Sequence, residues 1–166
     1  MGADSYRAVI AGGGQAGAQC AIALRQYGWR GDIVIIAAER ILPYQRPPLS
    51  KSYLAGEIAA ERLLLREQGF YDAQNIRVSL GDSVTAIERK DRVVITSRGE
   101  LLPFAKLFMA TGTRPRELMV PGVCLDGVGY IRGVDDVGIL QPAFQAASNL
   151  VVVGGGYIGL EVAAVA

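Results

Sequence analysis

The sequence predicts an α/β chain: a Rossmann-like domain carrying an antiparallel β insertion, followed by the start of a second Rossmann-like unit. Three observations predict it. A short apolar run, Ala8 to Ala11, feeds the turn Gly12-Gly13-Gly14-Gln15-Ala16-Gly17, and a second apolar run, Ile33 to Ile36, ends near Glu39. Val84 to Glu88 and Val93 to Thr96 alternate apolar and polar residues around Lys90-Asp91, which is a hairpin signature. Finally, Val151-Val152-Val153-Gly154-Gly155-Gly156-Tyr157-Ile158-Gly159 repeats the opening turn directly.

Residues 5–39 supply the strand, turn, helix and strand that a G-x-G-x-x-G match needs before it carries meaning. Gly12 permits a sharp turn, Gly14 lets backbone N–H groups approach a pyrophosphate, and Gly17 lets the helix sit close on the sheet. Ala16, Ala18, Ala21 and Ala23 keep that helix slim, and Gly28 stops it. Its N-terminus offers partial positive charge to an anion. Glu39 follows Gly17 by about 20 residues, the spacing at which a carboxylate accepts hydrogen bonds from a ribose diol. Gly12, Gly14, Gln15, Ala16, Gly17 and Glu39 are therefore candidate dinucleotide-binding residues.

The segment Arg40 to Lys51 is proline-rich. Pro47 and Pro48 are expected to forbid a helix and favour an extended, stiff loop, with Ser50 capping a short helix that runs to Leu54. A loop leaving the carboxyl end of a strand in an open α/β sheet is where ligands bind. Further on, the pattern predicts a helix near Gln68 to Gln74, a strand from Ile76 to Leu80, the hairpin, a short strand at Leu101-Leu102, and a buried strand from Lys106 to Ala110 closed by Thr111-Gly112-Thr113. A helix from Asp135 to Ala147 is expected to kink or break at Pro142, and Leu150 to Val153 to form a strand.

The bulk numbers exclude several functions. The 166 residues suffice for a well-buried domain, half of them apolar (51%). A net charge of +1 gives no electrostatic case for nucleic acid or an anionic membrane. No apolar run is long enough to span a bilayer, and the polar start, Met1 to Tyr6, is unlike a secretory leader. The two cysteines, Cys20 and Cys124, fit a reducing cytoplasm, with Cys20 read as a small buried apolar residue. The absence of histidine removes imidazole acid–base chemistry and imidazole metal ligation, and no metal site is expected. The second glycine unit begins but has no second strand, so the chain is expected to be the front part of a longer protein: residues 1–115 a first dinucleotide domain with its β insertion about 83–102, residues 116–148 a connector and helix, and residues 149–166 the start of a second domain.

Four motifs, in order, carry a resemblance: Gly12-x-Gly14-x-x-Gly17 with Glu39; Pro43-Tyr44-Gln45-Arg46-Pro47-Pro48-Leu49-Ser50-Lys51; Ala110-Thr111-Gly112; and Gly154-Gly155-Gly156-Tyr157-Ile158-Gly159-Leu160-Glu161. With them the sequence resembles the N-terminal part of the FAD-dependent pyridine nucleotide–disulfide oxidoreductase superfamily, and best its ferredoxin and rubredoxin reductases serving oxygenase systems. The resemblance implies that the first motif holds the FAD pyrophosphate and Glu39 the adenosine ribose. It implies that Arg46, Pro48 and Lys51 line the isoalloxazine, that Ala110, Thr111 and Gly112 pass close to FAD, that the Val84 backbone meets the adenine and that Arg132 contacts the cofactor. Gly154, Gly156, Tyr157, Ile158 and Gly159 are implied to carry the NAD(P)H pyrophosphate, with Glu161 toward the nicotinamide.

Lys51 and Glu161 are the implied catalytic pair, expected to lie within salt-bridge reach. Residues 40–54 contain no cysteine, unlike the family's disulfide reductases, peroxidases and oxidases. The resemblance then implies hydride transfer to FAD followed by one-electron transfer to a ferredoxin or rubredoxin. Monooxygenase chemistry is a weaker alternative, because the Arg-Pro-Pro-Leu-Ser-Lys segment argues against it. A noncatalytic FAD- or AMP-binding fragment is the reading from a different class.

Overall fold

Strands that are apolar at every position need cover on both faces. In β1 (Ala8–Ala11) and β2 (Ile33–Ala37) every residue is buried, and each face has its own cover. The structure, a computed structural model, describes residues 6–166; Met1 to Ser5, most of the polar start that argued against a leader, lie outside the described residues. The chain divides into two compact units, Met1–Tyr44 with Leu64–Gly112, and Gln45–Leu63 with Thr113–Ala166.

In the first unit β1, β2, β3 (Ile76–Leu80) and a later strand, β7 (Lys106–Met109), form a parallel sheet in the order β3-β2-β1-β7. Helices α1 (Gln15–Gln26) and α2 (Gln68–Ala73) follow β1 and precede β3. On one face Ala8, Ile10, Ile33, Ile35 and Ile76 pack with Ala21 of α1 and Tyr71 of α2. On the other, Val9, Val34 and Ile36 pack with Val94 and Leu102. Those two come from an antiparallel sheet of β4 (Val84–Glu88), β5 (Val93–Thr96) and β6 (Leu101–Pro103). The β insertion is thus the second layer of the core. Each buried Val, Leu or Ile side chain among them is worth about 1.5–3 kcal/mol relative to exposure. Arg25, in the last turn of α1, donates to the carbonyls of Trp29, Gly31, Gln74 and Asn75 at 2.6–2.8 Å and ties the helix to the start of β3.

Asp82, 1% exposed, joins the insertion to the sheet. It accepts from the Ser97 hydroxyl at 2.8 Å, from the Ser83 and Arg98 N–H groups at 2.9 and 3.3 Å, and from the Ser79 hydroxyl at 3.4 Å. Burial pushes its carboxyl up, but the bonds from Ser97, Thr96, Ser83 and Arg98 outweigh it and hold it below the usual range. Its stabilisation is therefore complete above the unfolded carboxylate range and is lost as pH falls through the lower folded value. Asp82→Ala takes the acceptor from the buried Ser79 hydroxyl and from the part-buried bonds of Ser83, Ser97 and Arg98, and is expected to cost about 1–3 kcal/mol, read as a lowered denaturation midpoint; an unchanged midpoint would contradict this account.

The second unit holds a 3-10 turn at Pro47–Ser50, another at Ala60–Leu63, α3 (Val134–Ala146) and α4 (Tyr157–Val165). Four expectations need correction here. The prolines do not enforce an extended loop: Pro47 and Pro48 occupy the first positions of the 3-10 turn, where a missing N–H costs nothing. Ser50 ends that turn instead of capping a helix, and turns follow it to Gly56. Residues 150–153 form no strand, because among the described residues no segment pairs with them, and all four side chains are exposed. α3 runs through Pro142 without a break. Its start is fixed by Asp136, whose Oδ2 accepts from the N–H groups of Gly133 and Arg132 at 2.7 and 2.8 Å.

Candidate functional site

In the first unit the candidate residues gather at the carboxyl ends of β1, β2 and β7, where β1 has β2 on one side and β7 on the other. Such a switch point is the usual ligand crevice of an open α/β sheet. The glycines there do different work. Gly12 has φ +125°, and a Cβ on it would stand 2.0 Å from the Ala110 carbonyl oxygen. This close approach brings Ala110-Thr111-Gly112 against the first motif, aided by the Ala110 N–H bond to Ala11 at 2.8 Å. A Cβ on Gly17 would stand 1.9 Å from the Gly12 carbonyl oxygen, so that glycine sets how closely α1 packs. Gly14 is different. It is the N-cap of α1 in ordinary extended backbone, φ −79°, and a Cβ there would meet no atom within 4 Å.

No side chain caps α1, and no acid stands in its first turn. With Gln15 and Ala16 opening the helix, its first N–H groups are free of both competitors for an anion. Glu39 is held by the end of β3: the Gly81 N–H donates to its carbonyl at 3.0 Å, and the Tyr44 hydroxyl, on a buried ring, donates to its carboxylate. Val84 opens β4 beside a register shift between Val84 and Ala86.

The second unit repeats the glycine logic. Gly154 has φ +115°, a Cβ on Gly159 would stand 2.3 Å from the Gly154 carbonyl oxygen, and one on Gly156 would meet nothing within 4 Å. Gly156 is the uncapped N-cap of α4, φ −76°, and Tyr157 and Ile158 open that helix with exposed side chains. One turn later Glu161 meets the proline-rich segment. Lys51 Nζ lies 2.7 Å from Glu161 Oε1, and the Ser50 hydroxyl donates to Oε2 at 2.5 Å. The bond from Lys51, and after it the bond from Ser50, hold the Glu161 carboxyl below its ordinary range. Arg46 donates to the Arg132 carbonyl, and Arg132 Nε donates to the Thr113 carbonyl at 3.1 Å. Pro48 sits inside the turn and accepts from the Lys51 and Tyr53 N–H groups at 3.0 Å each.

The family described as Pyridine nucleotide-disulphide oxidoreductase matches this chain over residues 6–166. The chain belongs to that family. Within it, the chain falls in the ferredoxin/rubredoxin reductase branch of this oxidoreductase family. A ferredoxin–NAD(P)(+) reductase of a Sphingomonas species is 44% identical over 160 residues, covering 96% of this chain and 39% of the relative. A rubredoxin–NAD(+) reductase of Pseudomonas putida is 42% identical over 158 residues, covering 95% and 41%. A solved covalent complex of putidaredoxin reductase with putidaredoxin aligns with a TM-score of 0.86 at 44% identity, covering 96% and 39%. The chain thus spans about two fifths of the length of the curated relatives it matches.

For a pyridine nucleotide-disulphide oxidoreductase the thiols are placed quietly. Cys20 is half-buried on α1, where burial pushes its thiol up and away from the reactive thiolate; Cys124 is exposed in a turn. Among the described residues no cluster of three His, Cys, Asp or Glu side chains could hold a metal ion, and no helix is long and apolar enough to cross a membrane. Three site residues were missed in the sequence. A Cβ on Gly13 would stand 2.3 Å from Ala37 Cβ, Tyr44 orients Glu39, and Ser50 holds Glu161. Tyr44 and Ser50 both lie in the proline-rich motif, whose polar residues were the available signal.

Proposed function

We propose that this protein is an NAD(P)H-dependent flavoprotein reductase that passes electrons through FAD to a ferredoxin or rubredoxin, serving an oxygenase system in the cytoplasm. The observation that carries the reading is the Lys51–Glu161 ion pair, formed by a cysteine-free segment and the helix that follows the second glycine turn. Membership in the ferredoxin/rubredoxin reductase branch supports it, as does the complex of a solved relative with putidaredoxin.

FAD, once bound, would supply the exchange between a two-electron hydride donor and a one-electron acceptor. The residues present fit that group: the open space at Gly14 and Gly156 is what a pyrophosphate needs at a helix N-terminus. We assign Gly12, Gly14, Gln15, Ala16 and Gly17 to the FAD pyrophosphate, Glu39 to the ribose diol, the Val84 backbone to the adenine, and Ala110, Thr111 and Gly112 to the facing side. Arg46, Pro48, Lys51 and Arg132 serve the isoalloxazine end. Gly154, Gly156, Tyr157, Ile158 and Gly159 serve NAD(P)H. The Lys51 ammonium favours negative charge on the ring system, and the Glu161 carboxylate keeps that ammonium in place. In domain terms residues 1–115 and 149–166 are the FAD and NAD(P) portions, joined by 116–148.

Anaerobic titration tests the reading. The purified protein is expected to bind one equivalent of FAD, and NADH or NADPH is expected to bleach the flavin band. A protein that binds no FAD rejects the cofactor assignment; one that binds FAD but is never bleached is the noncatalytic binder instead. A further prediction concerns the thiols. Replacing Cys20 and Cys124 together by Ala is expected to leave NADH-dependent reduction of an artificial one-electron acceptor largely intact, since neither thiol belongs to the candidate site. Collapse of that rate in a folded double variant would restore a thiol relay.

A further inference from the structure

Glu161 is held from two sides by consecutive residues of one turn, and the two donors differ in kind. Lys51 reaches Oε1 on a flexible four-carbon stem, and its side chain is 50% exposed. A pair of that sort spends most of its attraction on ordering two long side chains and is screened by solvent. Ser50 is 4% exposed and has a single side-chain torsion to order. It ends a turn whose prolines fix two backbone φ angles. The chain after it is tied down as well: the Lys51 and Tyr53 N–H groups donate to Pro48, the Ala55 N–H donates to Lys51 at 2.9 Å, and Gln141 of α3 donates to the Tyr53 and Leu54 carbonyls at 3.3 Å each. A short side chain on a fixed turn determines where its partner's oxygen sits, which a half-exposed lysine does not.

We propose that Ser50 is the positioning residue of this ion pair: its hydroxyl holds Glu161 Oε2 and thereby presents Oε1 to the Lys51 ammonium. An ionised carboxylate only accepts, so a donated hydroxyl favours the charged form of Glu161. Lys51 is the charged group that faces Glu161 from the Pro47–Ser50 turn; the rest of α4 is uncharged, and Arg46 at the start of the turn donates to the Arg132 carbonyl. The bond also couples the turn to the helix carrying the second glycine motif. Under the reading above, Ser50 then keeps the charge at the ring system constant while nicotinamide binds and leaves.

The decisive experiment is an NMR titration of the protein labelled with carboxyl-13C glutamate, the Glu161 signal being assigned by its loss in Glu161→Gln. In Ser50→Ala the Glu161 titration is expected to move up toward the ordinary carboxylate range, while Ser50→Thr, which keeps the hydroxyl, stays near the parent. If the added methyl unfolds the buried site, Ser50→Cys, a weak donor of similar size, is expected to fall between parent and Ser50→Ala. Ser50→Ala is also expected to raise the titration further in a Lys51→Met background. A Ser50→Ala protein titrating like the parent, or a double variant titrating like Lys51→Met alone, overturns the proposal. In the FAD-loaded protein the acid limb of the NADH reduction rate is expected to move the same way, with the rate at its low-pH end falling about tenfold, the scale of one lost charged hydrogen bond. This arm rests on the proposed function. Loss of FAD binding in the parent would reject that function and leave the titration to decide Ser50, whereas intact flavin reduction with an unmoved Glu161 rejects Ser50 alone.

Discussion

Gly14→Val is expected to abolish FAD retention while the protein stays folded, whereas Gly17→Ala is expected to destabilise the first unit and lower its melting temperature. The distinction comes from what each missing side chain would meet. At Gly14 the backbone is extended, a conformation valine accepts, and the first Cβ position has no neighbour within 4 Å. The loss to folding is that of a poor N-cap, about 1 kcal/mol. Three added carbons stand instead where a pyrophosphate must approach the first N–H groups of α1, so affinity should fall at least about 100-fold, or about 2.7 kcal/mol. At Gly17 a single Cβ would be 1.9 Å from a backbone oxygen, with no flexible side chain to give way. Moving α1 off the sheet to relieve it should cost about 3 kcal/mol, the upper part of the overpacking range. Fluorescence titration with FAD and a thermal melt read the two outcomes separately. A Gly14→Val protein that keeps stoichiometric FAD would refute the site assignment, and a Gly17→Ala protein melting like the parent would refute the packing account.

What could be read in the sequence follows the range of the interactions involved. β1, the glycine turn, α1 and β2 were legible because apolar runs and glycine spacing are local and the unit closes within some 30 residues. The hairpin was legible for the same reason. Its role was not: nothing local in Val94 or Leu102 says that they pack on Val9, Val34 and Ile36, and an insertion read as an interruption proved to be half of the core. Asp82 shows the same limit, since its charge is satisfied by Ser97 and Arg98 from the far end of the hairpin. At Pro47–Ser50 a rule about helix interiors was applied to a first turn, where prolines fit. Residues 150–153 have every intrinsic mark of a strand, yet a strand is made by its neighbours, and none pairs with this one. The Lys51–Glu161 pair came from motif resemblance and not from any local signal, and the adjoining serine was passed over because a serine before a turn suggests a cap.

Removing the charge of Lys51 and removing that of Glu161 are expected to shift the flavin potential in opposite directions. The two side chains are 50% and 30% exposed, so solvent screens the pair and it contributes little to folding, and both Lys51→Met and Glu161→Gln should melt near the parent. Effects on function are then separable from effects on stability. In the proposed site the ammonium favours negative charge on the ring system. Its loss in Lys51→Met should make the bound flavin harder to reduce, by about 30 mV if the interaction is worth about 1.4 kcal/mol for a two-electron couple. Reduction by NADH should slow with it by about tenfold, which is the same free energy read as a rate. In Glu161→Gln the lysine keeps its charge but loses the carboxylate that compensates it, so the potential should rise while nicotinamide handling suffers through KM. A structural pair with no electrostatic part in the reaction would give two small shifts of the same sign. Potentiometric titration of the two FAD-loaded variants beside the parent decides between these outcomes, and a Lys51→Met protein with unchanged potential and reduction rate would remove Lys51 from the catalytic assignment.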